Sequence, residues 1–257
     1  MKQQDLLSKS YVKKLESVQK LISLSFIFIL ISCGDTIQPT IDAFEVENDV
    51  FESGKSLISL PFDLHELEEV TVDQNTLLIG VHGSNSRGYE WIYPLQRLDN
   101  DGNMVSFFRW DDNACPNPSM NSLLTLIKQK FYDNPNLNKL ILLGHSYGGL
   151  LTVAFAEVWD MNVPLQIHSI AAPLKGMNII NSICDYELPD ILKTNIELYQ
   201  WRTIKELDGA FSDLDYDPQV MKILKSKVTR LPETYKGNKL GHNWSISWVA
   251  DEISKEE

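Results

Sequence analysis

The sequence predicts an α/β fold, with a mostly parallel central sheet and helices on both of its faces. Two apolar runs, Thr76–Val81 and Lys139–Leu143, are short and nearly continuous, as expected for strands covered on both sides. Between them Met120, Leu123, Leu124, Ile127 and Phe131 recur at helical spacing, which marks one buried face of an amphipathic helix. Strand and helix patterns then alternate to the C-terminus, the order that gives a parallel sheet with crossover helices. A chain of 257 residues is long enough for one sizeable core.

In chain order, residues 1–20 carry Lys2, Lys9, Lys13, Lys14 and Lys20, and Leu21–Ile31 is an apolar run. The run is short for a membrane span but fits the apolar core of a secretory signal. It ends in Leu30-Ile31-Ser32-Cys33, which resembles a bacterial lipobox. That resemblance implies a signal over residues 1–32 and a lipidated Cys33 as the mature N-terminus; an uncleaved anchor and a plain cleaved signal are the alternatives. Residues 33–55 are polar and acidic and are expected to form a tether, with the folded domain spanning 56–257. Ser56–Leu60 and Glu68–Val72 are weak strand candidates, and Thr76–Val81 is the first strong one. A turn follows at Asp99–Asn103, with Asp101-Gly102 as its signal, then a strand at Val105–Trp110. Asn117 and Pro118 fit the cap and first position of the next helix. Further strands are expected at Leu165–Ala171, Ile196–Thr203 and Lys225–Leu231, and a final helix from Asn243.

The stretch with most chemical content is Gly144-His145-Ser146-Tyr147-Gly148. It matches G-x-S-x-G, follows the strand Lys139–Leu143 directly, and leads into a run with Leu150, Leu151, Val153, Ala154, Phe155 and Val158. A sharp strand-to-helix turn there exposes the serine hydroxyl, and the new helix N-terminus favours negative charge beside it. These residues resemble the nucleophile elbow of the α/β-hydrolase superfamily, over roughly residues 70–257. The resemblance implies a serine nucleophile at Ser146. It also implies that His82-Gly83, at the end of the first strong strand, begins the oxyanion loop, with the Ser84 and Tyr147 N–H groups as donors. Small residues at Ala171–Gly176 resemble a lipase pocket wall, so residues 174–195 are expected to form a light cover over the site and no separate cap domain.

A serine hydroxyl needs a base, and histidine suits neutral pH. Of the five histidines, His65 precedes the strong strands and His168 sits mid-strand as a packed residue. His82 and His145 lie within the two motif turns and are expected to point away from the nucleophile. His242 lies in a glycine-bearing loop before the last helix and fits the superfamily order Ser, acid, His. The acid is expected between Lys205 and Gln219. Asp208, in an Asp-Gly pair, is preferred, and Asp213 and Asp215 remain alternatives.

The net charge of −12 argues against nucleic acid as a partner. No H-x-x-x-H or C-x-x-C pattern points to a metal, and the triad needs no cofactor. The expected function is hydrolysis of a small-molecule or lipid carboxylic ester, by a protein held at a membrane through its anchor. An acyltransferase, thioesterase or amidase on the same triad, or a non-catalytic lipid-binding lipoprotein, are the alternatives. Cys115 and Cys184 form either a disulfide, which an exported protein allows, or two free thiols.

Overall fold

A computed structural model describes residues 39–177 and 183–255. The lipobox-like Cys33 and the signal-like segment lie outside the described residues. Residues Pro39–Glu257 form one compact unit, so the folded part begins well before residue 56. A short 3-10 turn, Ile41–Ala43, is followed by α1 (Val50–Ile58), β1 (Leu64–Glu66), β2 (Thr76–Val81), α2 (Tyr89–Leu98), β3 (Asn103–Phe108), α3 (Pro116–Asp133), β4 (Lys139–His145), α4 (Tyr147–Val158), β5 (Leu165–Ile170), β6 (Ile196–Arg202) and β7 (Lys227–Arg230). A small hairpin, β8 (Thr234–Tyr235) with β9 (Asn238–Lys239), leads to α5 (Trp244–Ile253).

The main sheet has seven strands in the order β1-β3-β2-β4-β5-β6-β7. All neighbours are parallel except β1, which runs antiparallel to β3. Every residue of β2 is buried, as its unbroken apolar run requires. Alternate strand residues face opposite layers. Leu77, Ile79, Val81, Leu140 and Leu142 pack with Met120, Leu123 and Ile127 of α3 and with α4. Leu78, Val105, Phe107, Ile141 and Leu143 pack with α1, α2 and α5. The two rims of the sheet are β1, only three residues long, and β7, which is exposed throughout. Among the described residues no helix is long and apolar enough to cross a membrane.

Several expectations are corrected. Residues 50–58, expected as the end of the tether and the start of a strand at Ser56–Leu60, instead form α1. Asp49 caps it by accepting from Glu52 N (3.3 Å), and Leu57 is fully buried. Helical closeness is enforced at Gly54, where a Cβ would lie 2.2 Å from Tyr89 N. The Ile41 and Phe44 side chains are buried too, and Ile41 N donates to Leu67 O (2.8 Å). Glu68–Val72 is not a strand. After the last register pair, Glu66 with Ser106, Leu67 N still donates to Val105 O (3.0 Å), but Val105 N donates to the Glu68 carboxylate (2.5 Å) in place of a further ladder bond. Helix α3 starts at Pro116 with Cys115 as its cap, earlier than Asn117-Pro118 implied. Helix α2 was not anticipated: Gly88 before it has φ 80° and Pro94 sits inside it, and both residue types usually end helices.

Candidate active site

Strand β4 ends at His145, and the chain turns through Ser146 into α4. Ser146 has φ 54° and ψ −121°, outside the regions a non-glycine residue ordinarily adopts. Such strain persists only where the surroundings enforce it. Here Ser146 N donates to Ile170 O (2.9 Å), and Ser146 O accepts from Gly149 N (3.0 Å) and Leu150 N (3.2 Å). The turn is also pinned from the side: a Cβ on Gly148 would lie 2.3 Å from the carbonyl oxygens of Val81 and His82. As the first residue of α4, Tyr147 has an N–H that intrahelical bonding leaves open. Its side chain leaves the site, donating to Ala114 O (2.9 Å) and packing on Trp110. Burial pushes that phenol up to about 12.

The loop after β2 closes over the turn. A Cβ at Gly83 would sit 2.8 Å from the Ser146 Cβ and 3.0 Å from His145 O, so only glycine allows this approach. Ser84 is exposed beside it. Asn85, at φ 55°, is held by its N–H donating to Asp112 Oδ2 (2.7 Å).

His242 lies between β9 and α5, and its Nδ1 bonds Asp208 Oδ2 at 2.9 Å. Asp208 has no solvent exposure. It also accepts from Ala210 N (2.9 Å) and from the Thr203 hydroxyl (2.5 Å). A buried carboxylate needs such partners. Asp213, by contrast, bonds Ser212 Oγ (3.3 Å) on an exposed loop. Thr203 is itself placed by Gln219, whose Oε1 accepts from Thr203 N (2.8 Å) and whose Nε2 donates to Thr203 O (3.1 Å). The ring of Phe211 meets His242 edge-on at 5.1 Å, leaving Nε2 as the ring nitrogen free of Asp208. Sequence reasoning missed Thr203, Gln219 and Phe211, because their roles depend on contacts across the loop after β6.

Ser146 and His242 line one cavity of about 230 Å³, together with Gly83, Ser84, Ser86, Arg87 and Glu90. Residues 174–177 and 183–195 do not line it. Leu174, Lys175, Cys184 and Tyr186 border a separate open groove, so the light cover expected over the site is corrected for these residues. That segment is fastened elsewhere, by a Cys115–Cys184 disulfide with Cα atoms 5.3 Å apart.

The other histidines divide. His82 points away from Ser146, with Nε2 facing Arg109 (2.5 Å) and Nδ1 facing Gly83 O (2.9 Å). Burial lowers its pKa to about 4. His168 packs in a stack with Tyr199 and Trp201, accepts from Trp201 Nε1 (3.1 Å), and is lowered by burial to about 3. His145 departs from expectation. It lines the cavity, lies 4.5 Å from the His242 ring, and its Nε2 meets His242 O at 3.1 Å. Burial holds it well below the ordinary imidazole range, with the neighbouring His242 adding to that. A neutral His145 thus fixes the backbone that carries His242.

This architecture, with a strained serine at the end of the central strand, is the α/β-hydrolase fold. Among solved structures the chain is similar to Est1E from Butyrivibrio proteoclasticus, with TM-score 0.53 and 11% identity over 75% of this chain and 90% of that one. A second is XC6422 from Xanthomonas campestris, described as an a/b serine hydrolase without lid, with TM-score 0.48 and 14% identity over 75% of this chain and 85% of that one. In sequence the chain is 29% identical over 175 residues to a proline iminopeptidase of Saccharolobus solfataricus, covering 62% of this chain. It spans about half (52%) of that relative's length. No family model matches the chain.

Proposed function

We propose that the protein is a serine hydrolase that cleaves carboxylic esters through an acyl-enzyme, with Ser146 as nucleophile, His242 as base and Asp208 as orienting acid. The observation that carries this is the His242 Nδ1–Asp208 bond, 2.9 Å long, in a loop sharing one cavity with the strained Ser146. In the first step the Ser146 oxygen attacks the ester carbonyl while His242 Nε2 takes the hydroxyl proton. The carbonyl electrons move onto oxygen, where the Ser84 and Tyr147 N–H groups and the α4 N-terminus would hold the charge; one such donor is worth about 2.7–4 kcal/mol. Collapse expels the alcohol, which takes the proton from His242. Water then repeats the sequence and releases the acid. Asp208 keeps His242 in one tautomer and stabilises its charged form.

Ser146→Ala should abolish turnover of a short-chain aryl ester and labelling by a fluorophosphonate. Retained turnover defeats the assignment, and a wild-type protein that is never labelled is a binding protein instead. Amide cleavage is the second reading, favoured by the likeness to a proline iminopeptidase; comparing an aryl ester with the matching anilide separates the two.

The proposal extends to export and anchoring through a lipid on Cys33. The lipobox-like tetrad supports it, as does the disulfide, a bond that persists in oxidising compartments. Cys33→Ala should abolish incorporation of labelled fatty acid and release the protein from membranes; unchanged labelling would refute the anchor.

A further inference from the structure

Glu90, on the first turn of α2, is 8% exposed, and it lines the same cavity as Ser146 and His242. Its Oε1 accepts from the Ser86 hydroxyl, which in turn accepts from Gly88 N (3.2 Å). Its Oε2 is buried and has no hydrogen-bond partner. A carboxylate oxygen taken from water without a partner is costly. The start of α2 favours negative charge there, yet the Ser86 bond uses only one oxygen. Arg87 borders the cavity as well, but it stands exposed at the rim, and no ion pair joins it to Glu90 among the described residues. The cavity lining shared with the serine therefore includes a carboxylate with one oxygen covered and unpartnered.

We propose that Glu90 is a cation subsite, and that the substrate carries a protonated amine on the acyl side of the bond cleaved at Ser146. This rests on the serine hydrolase reading above and names its substrate class. The size of the cavity sets the spacing. A sphere of about 230 Å³ is roughly 8 Å across, small beside the 300–1,000 Å³ clefts that enclose drug-sized ligands. With the scissile carbonyl at Ser146 and the ammonium on Glu90, few bonds separate the two. Aminoacyl esters and amides meet that requirement; long neutral acyl chains do not. Neutralising the carboxylate with a substrate ammonium supplies the missing donor, and such charge-assisted bonds are the stronger kind.

The test compares glycine ethyl ester with N-acetylglycine ethyl ester on the full-length protein at pH 6.5, following release of ethanol. The expected result is a kcat/KM ratio of at least about tenfold in favour of the free amine, a factor reached by a single contact of about 1.4 kcal/mol. The preference should fade as pH rises through the amine's own pKa, about 7.7–8.0 for an α-amino group. In Glu90→Gln the ratio should fall to about one, a change in charge preference that loss of packing alone would not give. Should that variant fail to fold, wild type decides: propylammonium should compete with an aryl ester at pH 6.5, and the neutral isostere 1-propanol at the same concentration should not. A wild-type protein labelled by fluorophosphonate that prefers neither ester, or a Glu90→Gln protein that keeps the preference, overturns the subsite alone. A protein that is not labelled at all overturns the hydrolase reading and the subsite with it.

Discussion

Acid should destabilise this fold well above the range in which carboxylates titrate, because its interior holds neutral histidines. His82 and His168 are 1% and 2% exposed. Burial moves them from 6.5 to about 4 and about 3 respectively. Both pKa values are depressed on folding, so below pH 6.5 the unfolded chain binds protons that the folded chain refuses. Stability is then full above pH 6.5 and lost as pH falls towards the folded values. From 6.5 to 5 is a gap of about 1.5 units, or about 2 kcal/mol for each histidine at about 1.36 kcal/mol per unit. The pair therefore removes about 4 kcal/mol between pH 7 and pH 5, a large share of the 5–15 kcal/mol of a typical domain. His145, also depressed, acts with the same sign. Urea unfolding followed by tryptophan fluorescence at pH 7 and pH 5 measures the loss directly. His168→Gln should reduce the difference between the two pH values by about 2 kcal/mol, whatever it does to stability at pH 7. Equal unfolding midpoints at the two pH values, or an undiminished difference in His168→Gln, would refute the reasoning.

Asp208→Asn should keep the fold and lower kcat by about 10³–10⁴-fold, measured on an aryl ester; a loss under tenfold would mean another acid orients His242. Serine at both Cys115 and Cys184 should lower stability by about 4 kcal/mol, given the loop of sequence separation 69 and the entropy of closing it, and denaturant melts with and without reductant check this. Gly83→Ala must push the loop after β2 off Ser146, where its Cβ would otherwise lie 2.8 Å away. Turnover should fall on the order of 10²-fold with little change in thermal midpoint, and unchanged kinetics would show that the loop does not serve the reaction.

The sheet was legible because its signals are local. Thr76–Val81 and Lys139–Leu143 are buried strands on composition alone, and the glycines around Ser146 mark a turn that tolerates no side chains beside it. The bond from His242 to Asp208 was harder to see. Several acids crowd residues 205–219, and what separates Asp208 from Asp213 is burial and the donors Ala210 N and Thr203 Oγ1, which only the folded loop supplies. The failures share a cause. Residues 50–55 read as polar tether and 56–58 as a weak strand because half of α1 faces solvent, and its buried half is set by contact with the start of α2. Glu68 reads as the start of a weak strand, Glu68–Val72, whereas its side chain and not its backbone takes the bond from Val105 N. His145 was placed away from the site on the strength of its neighbour's position, whereas the turn itself carries its ring back against His242.

Strand β7 is the sheet's outer rim, and it is written in Lys227, Val228, Thr229 and Arg230. Lys227 reaches Glu197 (3.3 Å) and Arg230 reaches Asp217 (3.2 Å), so its cations are engaged by the chain's own acids. A second copy approaching edge to edge would have to strip water from these charges before gaining any backbone bonds. At the opposite rim, β1 offers three residues and no more. Each rim therefore offers a neighbouring sheet little to template on.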